Sequence, residues 1–143
     1  MPRETTRIRV AFHDVDSSQR IHFTAMFRYF EIAEHALMRS IGLPYSRALQ
    51  EYGFPRVHLE CDFRGAVRFD DILEVSAEVE RIGQASWTVR FEAHKHPDVE
   101  LVADGHMTIV ATDPATERPT PIPRGLRLAL EGKGDLSPAR ITD

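Results

Sequence analysis

The stretch AFHDVDSSQRIHFTAMFRYFEIAEHALMRSIG, residues 11–42, joins the end of a strand pattern, an acidic turn and a long apolar helix without interruption. Apolar and polar residues alternate over residues 6–13, which is the period of a half-buried strand. The alternation stops at Asp14 and Asp16, which are followed by a polar, turn-prone cluster. This part of the chain therefore predicts a strand that leads through an acidic turn directly into a helix.

The predicted helix carries one apolar face. Its apolar residues recur at spacings of three and four, and they are Met26, Phe27, Phe30, Ala33, Leu37, Met38 and Ile41. Thr24 is predicted to be the N-cap, with its hydroxyl on a free backbone N–H. Gly42 is predicted to end the helix in a left-handed conformation, and Pro44 prevents its continuation.

Four further strand patterns follow a short predicted helix at residues 44–51. They lie at residues 57–64, 73–80, 87–93 and 101–112. Turn residues between the last three predict hairpins, and so an antiparallel meander. In the first of these strands, Val57, Leu59, Cys61 and Phe63 alternate, and Cys61 is predicted to be a small core residue. One long helix against one antiparallel sheet is an α+β arrangement.

Domain organisation is read from composition. Residues 1–113 are predicted to form one domain, with residues 1–5 loose. Residues 114–143 are predicted to be a Pro-rich connector with a possible short helix, and then a disordered tail from Gly132.

Composition excludes several classes of protein. The 143 residues are 42% hydrophobic and 28% charged, with a formal net charge of −4, which argues against a nucleic-acid surface. No apolar run is long enough to span a membrane, and no signal peptide is expected because no apolar run follows Met1. The single cysteine, Cys61, cannot form a disulfide within the chain and indicates a reducing, cytoplasmic location.

Four motifs in order resemble one family. The D-V-D turn followed by F-R-Y-F-E on the helix, F-R-G-A-V-R-F-D-D-I-L-E-V at residues 63–75, R-I-G-Q-A-S-W at residues 81–87 and A-D-G at residues 103–105 resemble hotdog-fold thioesterases of the 4-hydroxybenzoyl-CoA thioesterase type. The resemblance runs over about residues 7–113. It implies a hotdog fold, in which a curved antiparallel sheet of about five strands wraps one long helix. It also implies hydrolysis of acyl-CoA to free acid and CoA by a homodimer or homotetramer, with no metal or redox cofactor.

The resemblance assigns roles to individual residues. It places the catalytic carboxylate on Asp16, as nucleophile or general base, with backbone N–H groups near Phe23 polarising the thioester carbonyl. Candidate substrate-binding residues are His22, Phe23, Met26, Phe27, Glu31, Arg64, Arg68 and Arg90. The arginines among them are candidates for the CoA phosphates, and the apolar side chains for an acyl pocket. Asp14 is predicted to be a structural turn residue.

The chain also departs from the family pattern. Gln19 and Asp70 stand where many members have Gly, Ala66 replaces a usual Pro, and Phe23 stands where many members have a polar residue. These departures leave the acyl group undetermined, as well as the choice between CoA and an acyl carrier protein as the carrier.

Other functions remain open from the sequence. A hotdog protein can be a dehydratase-like enzyme or a non-hydrolytic acyl-thioester binding module. A metal site of His13, Asp14, Asp16 and His22 would match no standard ligand spacing. The D-V-D after a strand also resembles haloacid dehalogenase-type phosphatases, but these need a parallel sheet, which the predicted meander contradicts.

Overall fold

Five strands and three helices are found in the part of the chain that the computed structural model describes, residues 1–133. The strands are β1 (Arg3–Arg9), β2 (Arg56–Phe63), β3 (Ile72–Ile82), β4 (Ser86–His96) and β5 (Leu101–Val110). The helices are α1 (Ala25–Ser40), α2 (Tyr45–Ala48) and α3 (Arg124–Leu130), and a short 3-10 turn at Phe12–Asp14 follows β1.

The strands form a single antiparallel sheet in the order β1-β3-β4-β5-β2. The predicted meander is its centre, since β3, β4 and β5 pair in succession. The strands at the two edges are β1 and β2, which precede and follow α1 in the sequence. This topology contains no parallel pair among the described strands, so the phosphatase alternative is excluded.

Helix α1 buries its apolar face on the sheet. The rings of Phe30 and Phe91 stack with their centroids 4.6 Å apart, and both side chains are fully buried. Gly105 on β5 permits this close approach. A Cβ atom there would lie 2.1 Å from the Glu60 backbone oxygen and 3.0 Å from the Phe30 ring. The glycine of the A-D-G motif is therefore required by the close packing of α1 and β2 around it.

The two ends of α1 differ in how well they were predicted. Gly42 has φ 84°, and the Leu43 N–H donates to the Met38 carbonyl at 2.9 Å, as in a Schellman C-cap. Thr24 is the N-cap residue, as predicted, but its backbone is already helical and its hydroxyl caps no backbone N–H. Its hydroxyl oxygen instead lies 2.7 Å from Nδ1 of His22.

Strand β2 differs most from expectation. Its alternating apolar side chains were predicted to lie in the core, but Val57, Leu59 and Phe63 are 60%, 40% and 51% exposed. The reason is its place at the sheet edge, while α1 packs over β1 and β3. Cys61 is half-buried. Burial, with Asp104 and Asp62 nearby, raises the pKa of its thiol to about 11, so this thiol is a poor nucleophile.

Residues 1–5 and the described residues after Asp113 are more ordered than predicted. Strand β1 begins at Arg3, so the expectation that residues 1–5 are loose is wrong. The predicted terminal helix is present as α3, with Leu126 and Leu130 fully buried in the same core as the sheet. The change in composition at Asp113 is therefore not the limit of the core. Most of the predicted tail lies outside the described residues. No helix within residues 1–133 has the length and apolar character to cross a membrane.

Candidate active site

Asp16 lies on a tight loop between β1 and α1. The Asp16 N–H donates to the Arg20 carbonyl at 3.0 Å, and Val15 pairs with Ile21 in an antiparallel bridge. Gln19 at the tip has φ 67°, a left-handed conformation that glycine adopts most easily. The replacement of the family's Gly by Gln19 has therefore left the residue in a backbone conformation that suits glycine.

The Asp16 carboxylate is exposed but oriented. Its Oδ1 accepts hydrogen bonds from the Ser18 N–H at 2.8 Å and from the Ser18 hydroxyl at 2.5 Å. No described residue donates to Oδ2. The two Ser18 hydrogen bonds lower the pKa of Asp16 below its ordinary value, so the side chain is ionised at neutral pH. One oxygen therefore fixes the carboxylate, while the other is free to react.

A groove of about 480 Å³ borders Asp16. It is lined by Phe12, Val15, Asp16, Ser17, Gln19, Arg68 and Phe69. Phe12 and Phe69 pack edge to face with centroids 5.5 Å apart, yet they are 75% and 51% exposed. Exposed aromatic side chains held beside a carboxylate and a guanidinium are typical of a binding site for a partly apolar, partly anionic ligand.

Asp14 forms a different kind of site from Asp16, although only one residue separates them. Asp14 is 6% exposed, and its carboxylate accepts hydrogen bonds from the Tyr29 hydroxyl at 2.8 Å and from the Arg28 guanidinium. We call Asp14, Arg28 and Tyr29 the Asp14 cluster. Burial raises the pKa of Asp14, but these two hydrogen bonds outweigh burial and the pKa lies below its ordinary value.

The Asp14 cluster bears on two expectations. Asp14 is a structural residue, as predicted, but it bonds to α1 as well as ordering the turn. The alternative metal site would need the Asp14 carboxylate as a ligand, and that carboxylate is already bonded through both oxygens. Within residues 1–133, no three His, Cys, Asp or Glu side chains are arranged to hold a metal ion.

A second cluster of a carboxylate, a tyrosine and an arginine lies further along α1. The carboxylate of Glu34 is fully buried and accepts hydrogen bonds from the Tyr45 hydroxyl at 3.0 Å and the Arg56 guanidinium at 2.6 Å. We call Glu34, Tyr45 and Arg56 the Glu34 cluster. Sequence reasoning missed it, although a signal was present. Glu34 falls on the apolar face of the helix, where an acidic residue needs a buried partner.

The predicted substrate-binding residues near the start of α1 fall into two groups. Phe23, 62% exposed, lines a small cleft of about 130 Å³ together with buried Met26. His22 is exposed and stacks on Phe23, with ring centroids 4.6 Å apart. Phe27 is half-buried and packs towards Phe30, and Glu31 is exposed on the outer side of the helix. The structure therefore brings His22, Phe23 and Met26 together but does not add Phe27 or Glu31 to the cleft.

The three predicted phosphate-binding arginines are in different surroundings. Arg68 lines the groove with Asp16 and forms no ion pair with a described residue. Arg64 Nε lies 3.0 Å from an Asp104 carboxylate oxygen, and Arg90 lies 3.5 Å from Glu92. Of the three, Arg68 alone combines a place in the groove with an uncommitted guanidinium.

The start of α1 offers hydrogen-bond donors close to this loop in sequence. The Thr24 N–H donates to Nδ1 of His22 at 3.3 Å, and the Ala25 N–H donates to the His22 carbonyl at 2.8 Å. No backbone carbonyl among the described residues accepts a hydrogen bond from the Phe23 N–H. A free donor at a helix N-terminus can bind a developing oxyanion.

Comparison with known proteins identifies the family. Residues 19–102 match the thioesterase superfamily, which is more than half of the chain. The match begins three residues after Asp16, so it includes the start of α1 but not the candidate carboxylate.

Individual relatives agree with the family match. A provisionally named esterase of Aquifex aeolicus is 32% identical over 91 residues, or 62% of this chain and 70% of the relative. The acyl-CoA thioesterase YbgC of Haemophilus influenzae is 23% identical over 124 residues, or 85% of this chain and 90% of the relative.

A solved structure confirms the fold. A 1,4-dihydroxy-2-naphthoyl-CoA thioesterase from Synechocystis superposes with a TM-score of 0.85 at 18% identity, covering 90% of this chain and 95% of the other. The predicted α+β hotdog fold and the resemblance to hotdog-fold thioesterases are thus confirmed. The chain therefore belongs to the thioesterase superfamily and is a thioester hydrolase with the hotdog fold.

Proposed function

We propose that the protein hydrolyses acyl-CoA thioesters to the free acid and CoA, with Asp16 as the catalytic carboxylate. The observation that carries this proposal is the state of Asp16 itself. It is ionised and held through one oxygen by Ser18, and it borders a groove with aromatic walls and a free arginine. A thioester hydrolase needs such a group near the thioester carbonyl.

Asp16 can act in either of two ways. In direct attack, Oδ2 of Asp16 adds to the thioester carbonyl carbon, the carbon–sulfur bond breaks and CoA leaves as the thiolate. Water then hydrolyses the mixed anhydride. In general-base catalysis, Asp16 takes a proton from water, and the water oxygen attacks the same carbon. Both routes develop negative charge on the carbonyl oxygen, which the Phe23 N–H would stabilise.

The lining of the groove supports separate positions for the acyl group and for the carrier of the substrate. Phe12 and Phe69 present apolar surface to an acyl group, while the Arg68 guanidinium suits an anionic group of the carrier. Two of the named relatives are named as CoA thioesterases, and one of these is named for an aromatic acyl group. We therefore infer CoA as the carrier in preference to an acyl carrier protein, and an acyl group with a flat apolar part.

We also propose that the working enzyme contains a second copy of the chain, as a homodimer or a homotetramer. The two sheet edges are unequal. Strand β1 exposes Arg3, Arg7 and Arg9, which protect an edge, whereas β2 exposes Val57, Leu59 and Phe63. Phe63 also lines the cleft beside Phe23, so a copy docked on β2 would complete this part of the site. Light scattering should give at least twice the chain mass of 16.3 kDa. The monomer mass at micromolar concentration would contradict the proposal.

The decisive experiment is hydrolysis of a panel of aromatic and aliphatic acyl-CoAs, followed by release of free thiol. We expect turnover by the parent chain and a loss of about a hundredfold or more in kcat in Asp16→Asn, because Asn cannot ionise. Asp98→Asn is the matched control, since Asp98 is also an exposed aspartate but lies outside the groove. Its kcat should equal that of the parent. Parental turnover in Asp16→Asn would refute the assignment.

Two further outcomes decide between the remaining alternatives. Tight binding of acyl-CoA with no thiol release would favour the acyl-thioester binding module. A single turnover in ¹⁸O-labelled water separates the two mechanisms. Label in the Asp16 carboxylate shows direct attack, with water adding to the Asp16 carbonyl carbon of the anhydride, whereas general-base catalysis puts label in the released acid alone. The cytoplasmic location inferred from the single cysteine stays a prediction.

A further inference from the structure

The loop that carries Asp16 is closed at its base by Asp14. The Asp14 carbonyl accepts a hydrogen bond from the His22 N–H at 2.7 Å, and the next pair inward, Val15 and Ile21, forms a bridge. Asp14 is therefore the last residue before the loop separates from the body of the protein. Any rotation or shift of Asp14 moves Asp16, because only one residue lies between them.

The side chain of Asp14 ties that base to α1. Oδ1 accepts from Arg28 and Oδ2 accepts from the Tyr29 hydroxyl at 2.8 Å, so both oxygens are engaged and the carboxylate cannot rotate freely. Tyr29 is 3% exposed, so solvent water does not compete with Asp14 for the hydrogen bond of its hydroxyl. The other side of the loop is fixed separately, by the Ile21 N–H on the Val67 carbonyl at 2.9 Å.

We propose that Arg28 and Tyr29 are positioning residues for the hydrolysis, which act through the Asp14 carboxylate to hold the Asp16 loop against the start of α1. The inference rests on the proposed function at Asp16 and adds to it. Arg28 and Tyr29 stand in the first two turns of α1, whose N-terminal end carries the free Phe23 N–H. One rigid element therefore sets the distance between the carboxylate that reacts and the donor that binds the oxyanion.

The Glu34 cluster supplies a matched control. Tyr29 and Tyr45 both donate a hydroxyl hydrogen bond to a buried carboxylate, at 2.8 and 3.0 Å, but only Tyr29 connects to the Asp16 loop. Tyr29→Phe should lower kcat about tenfold with KM unchanged, because the reacting groups are misplaced while substrate still binds. Tyr45→Phe should lower the melting temperature and leave kcat within about twofold of the parent.

A second readout does not depend on turnover. Hydrogen exchange of the Asp16 and His22 amides, which close the loop through the Arg20 and Asp14 carbonyls, should be faster in Tyr29→Phe and unchanged in Tyr45→Phe. Asp14→Asn should have the larger effect, about a hundredfold in kcat, since Asn loses the charge that pairs with Arg28. Asp14→Asn also tests the inference if Tyr29→Phe proves poorly folded.

The outcomes separate this inference from the proposed function. If the parent hydrolyses no thioester, the proposed function fails, and so does the inference that Arg28 and Tyr29 assist catalysis. The exchange rates would still test whether these residues attach the loop to α1. If the parent is active but Tyr29→Phe keeps parental kcat, the inference alone is overturned. Equal losses of kcat in Tyr29→Phe and Tyr45→Phe would also overturn it, since a general loss of stability would then explain both.

Discussion

The Asp14 cluster and the Glu34 cluster each combine a buried carboxylate, an arginine and a tyrosine, yet they join different parts of the molecule. The Asp14 cluster joins an exposed loop to α1, and its Arg28 side chain is 53% exposed. The Glu34 cluster joins α1 to α2 and the first residue of β2, with Glu34 at 0% and Arg56 at 31% exposure. We expect burial to decide how much each cluster stabilises the fold, and attachment to the Asp16 loop to decide whether it bears on function.

The largest difference should appear in stability. Arg56→Met leaves the Glu34 carboxylate fully buried with Tyr45 as its single partner, and it should lower the free energy of unfolding by about 3 kcal/mol. Arg28→Met should cost about 1 kcal/mol, because half of Arg28 is in water and Asp14 keeps Tyr29. Urea unfolding of both variants measures the difference, and equal losses would contradict the role given to burial.

The next effect concerns an arginine that belongs to neither cluster. Arg68→Ala should raise KM for acyl-CoA about tenfold with little change in kcat, since a phosphate contact is made equally in ground and transition states. The effect should weaken in high salt. Arg64→Ala and Arg90→Ala should change KM less, because Asp104 and Glu92 already pair with these guanidinium groups. A larger rise in either of them would place the nucleotide on another surface.

The pH dependence of stability should distinguish Asp14 from its Asn variant. The pKa of Asp14 is lowered in the folded protein, so its contribution is present above the unfolded value of about 3.8 and is lost as pH falls through the folded pKa. The stability difference between parent and Asp14→Asn should therefore be constant near neutral pH and shrink on acidification below about pH 4. Thermal unfolding of both proteins between about pH 2 and about pH 7 tests this pH dependence. A constant difference down to the lowest pH would refute the ionised pairing.

The smallest expected effect lies in the backbone beside each cluster. The left-handed position near the Glu34 cluster is a glycine, Gly42, with φ 84°, whereas the loop held by the Asp14 cluster has Gln19 at φ 67°. Gln19→Gly should stabilise the protein by about 0.5 kcal/mol, and Gly42→Ala should destabilise it by about 1 kcal/mol. Melting temperatures of the two variants measure both. Destabilisation by Gln19→Gly would mean that the Gln19 side chain makes a contribution larger than the backbone strain.

The candidate site was predictable only where local pattern carried the information. The D-x-D before a helix pointed to Asp16, and Gln19 and Asp70, two positions where many family members have Gly, do adopt left-handed conformations, at φ 67° and 71°. The roles of Phe12 and Phe69 were not predicted. Fifty-six residues separate them in the chain, and only the fold brings their rings to 5.5 Å. The view that Asp14 merely orders the turn also changes, because its partners lie on α1, 14 and 15 residues away.

The sequence by itself determined the elements and the class of fold. Periods of two and of three to four residues predicted the strands and α1, and Gly42 marked the helix end, since these features depend on neighbours within a few residues. Tertiary structure alone decided that β2 is an edge strand with exposed apolar residues, that α3 belongs to the core, and that Asp14 faces inward while Asp16 faces the groove. An alternating pattern shows that a strand has an apolar face, but what covers that face depends on strand order and on long-range packing. Two aspartates two residues apart thus acquire opposite surroundings, because side-chain partners distant in sequence determine which carboxylate is buried.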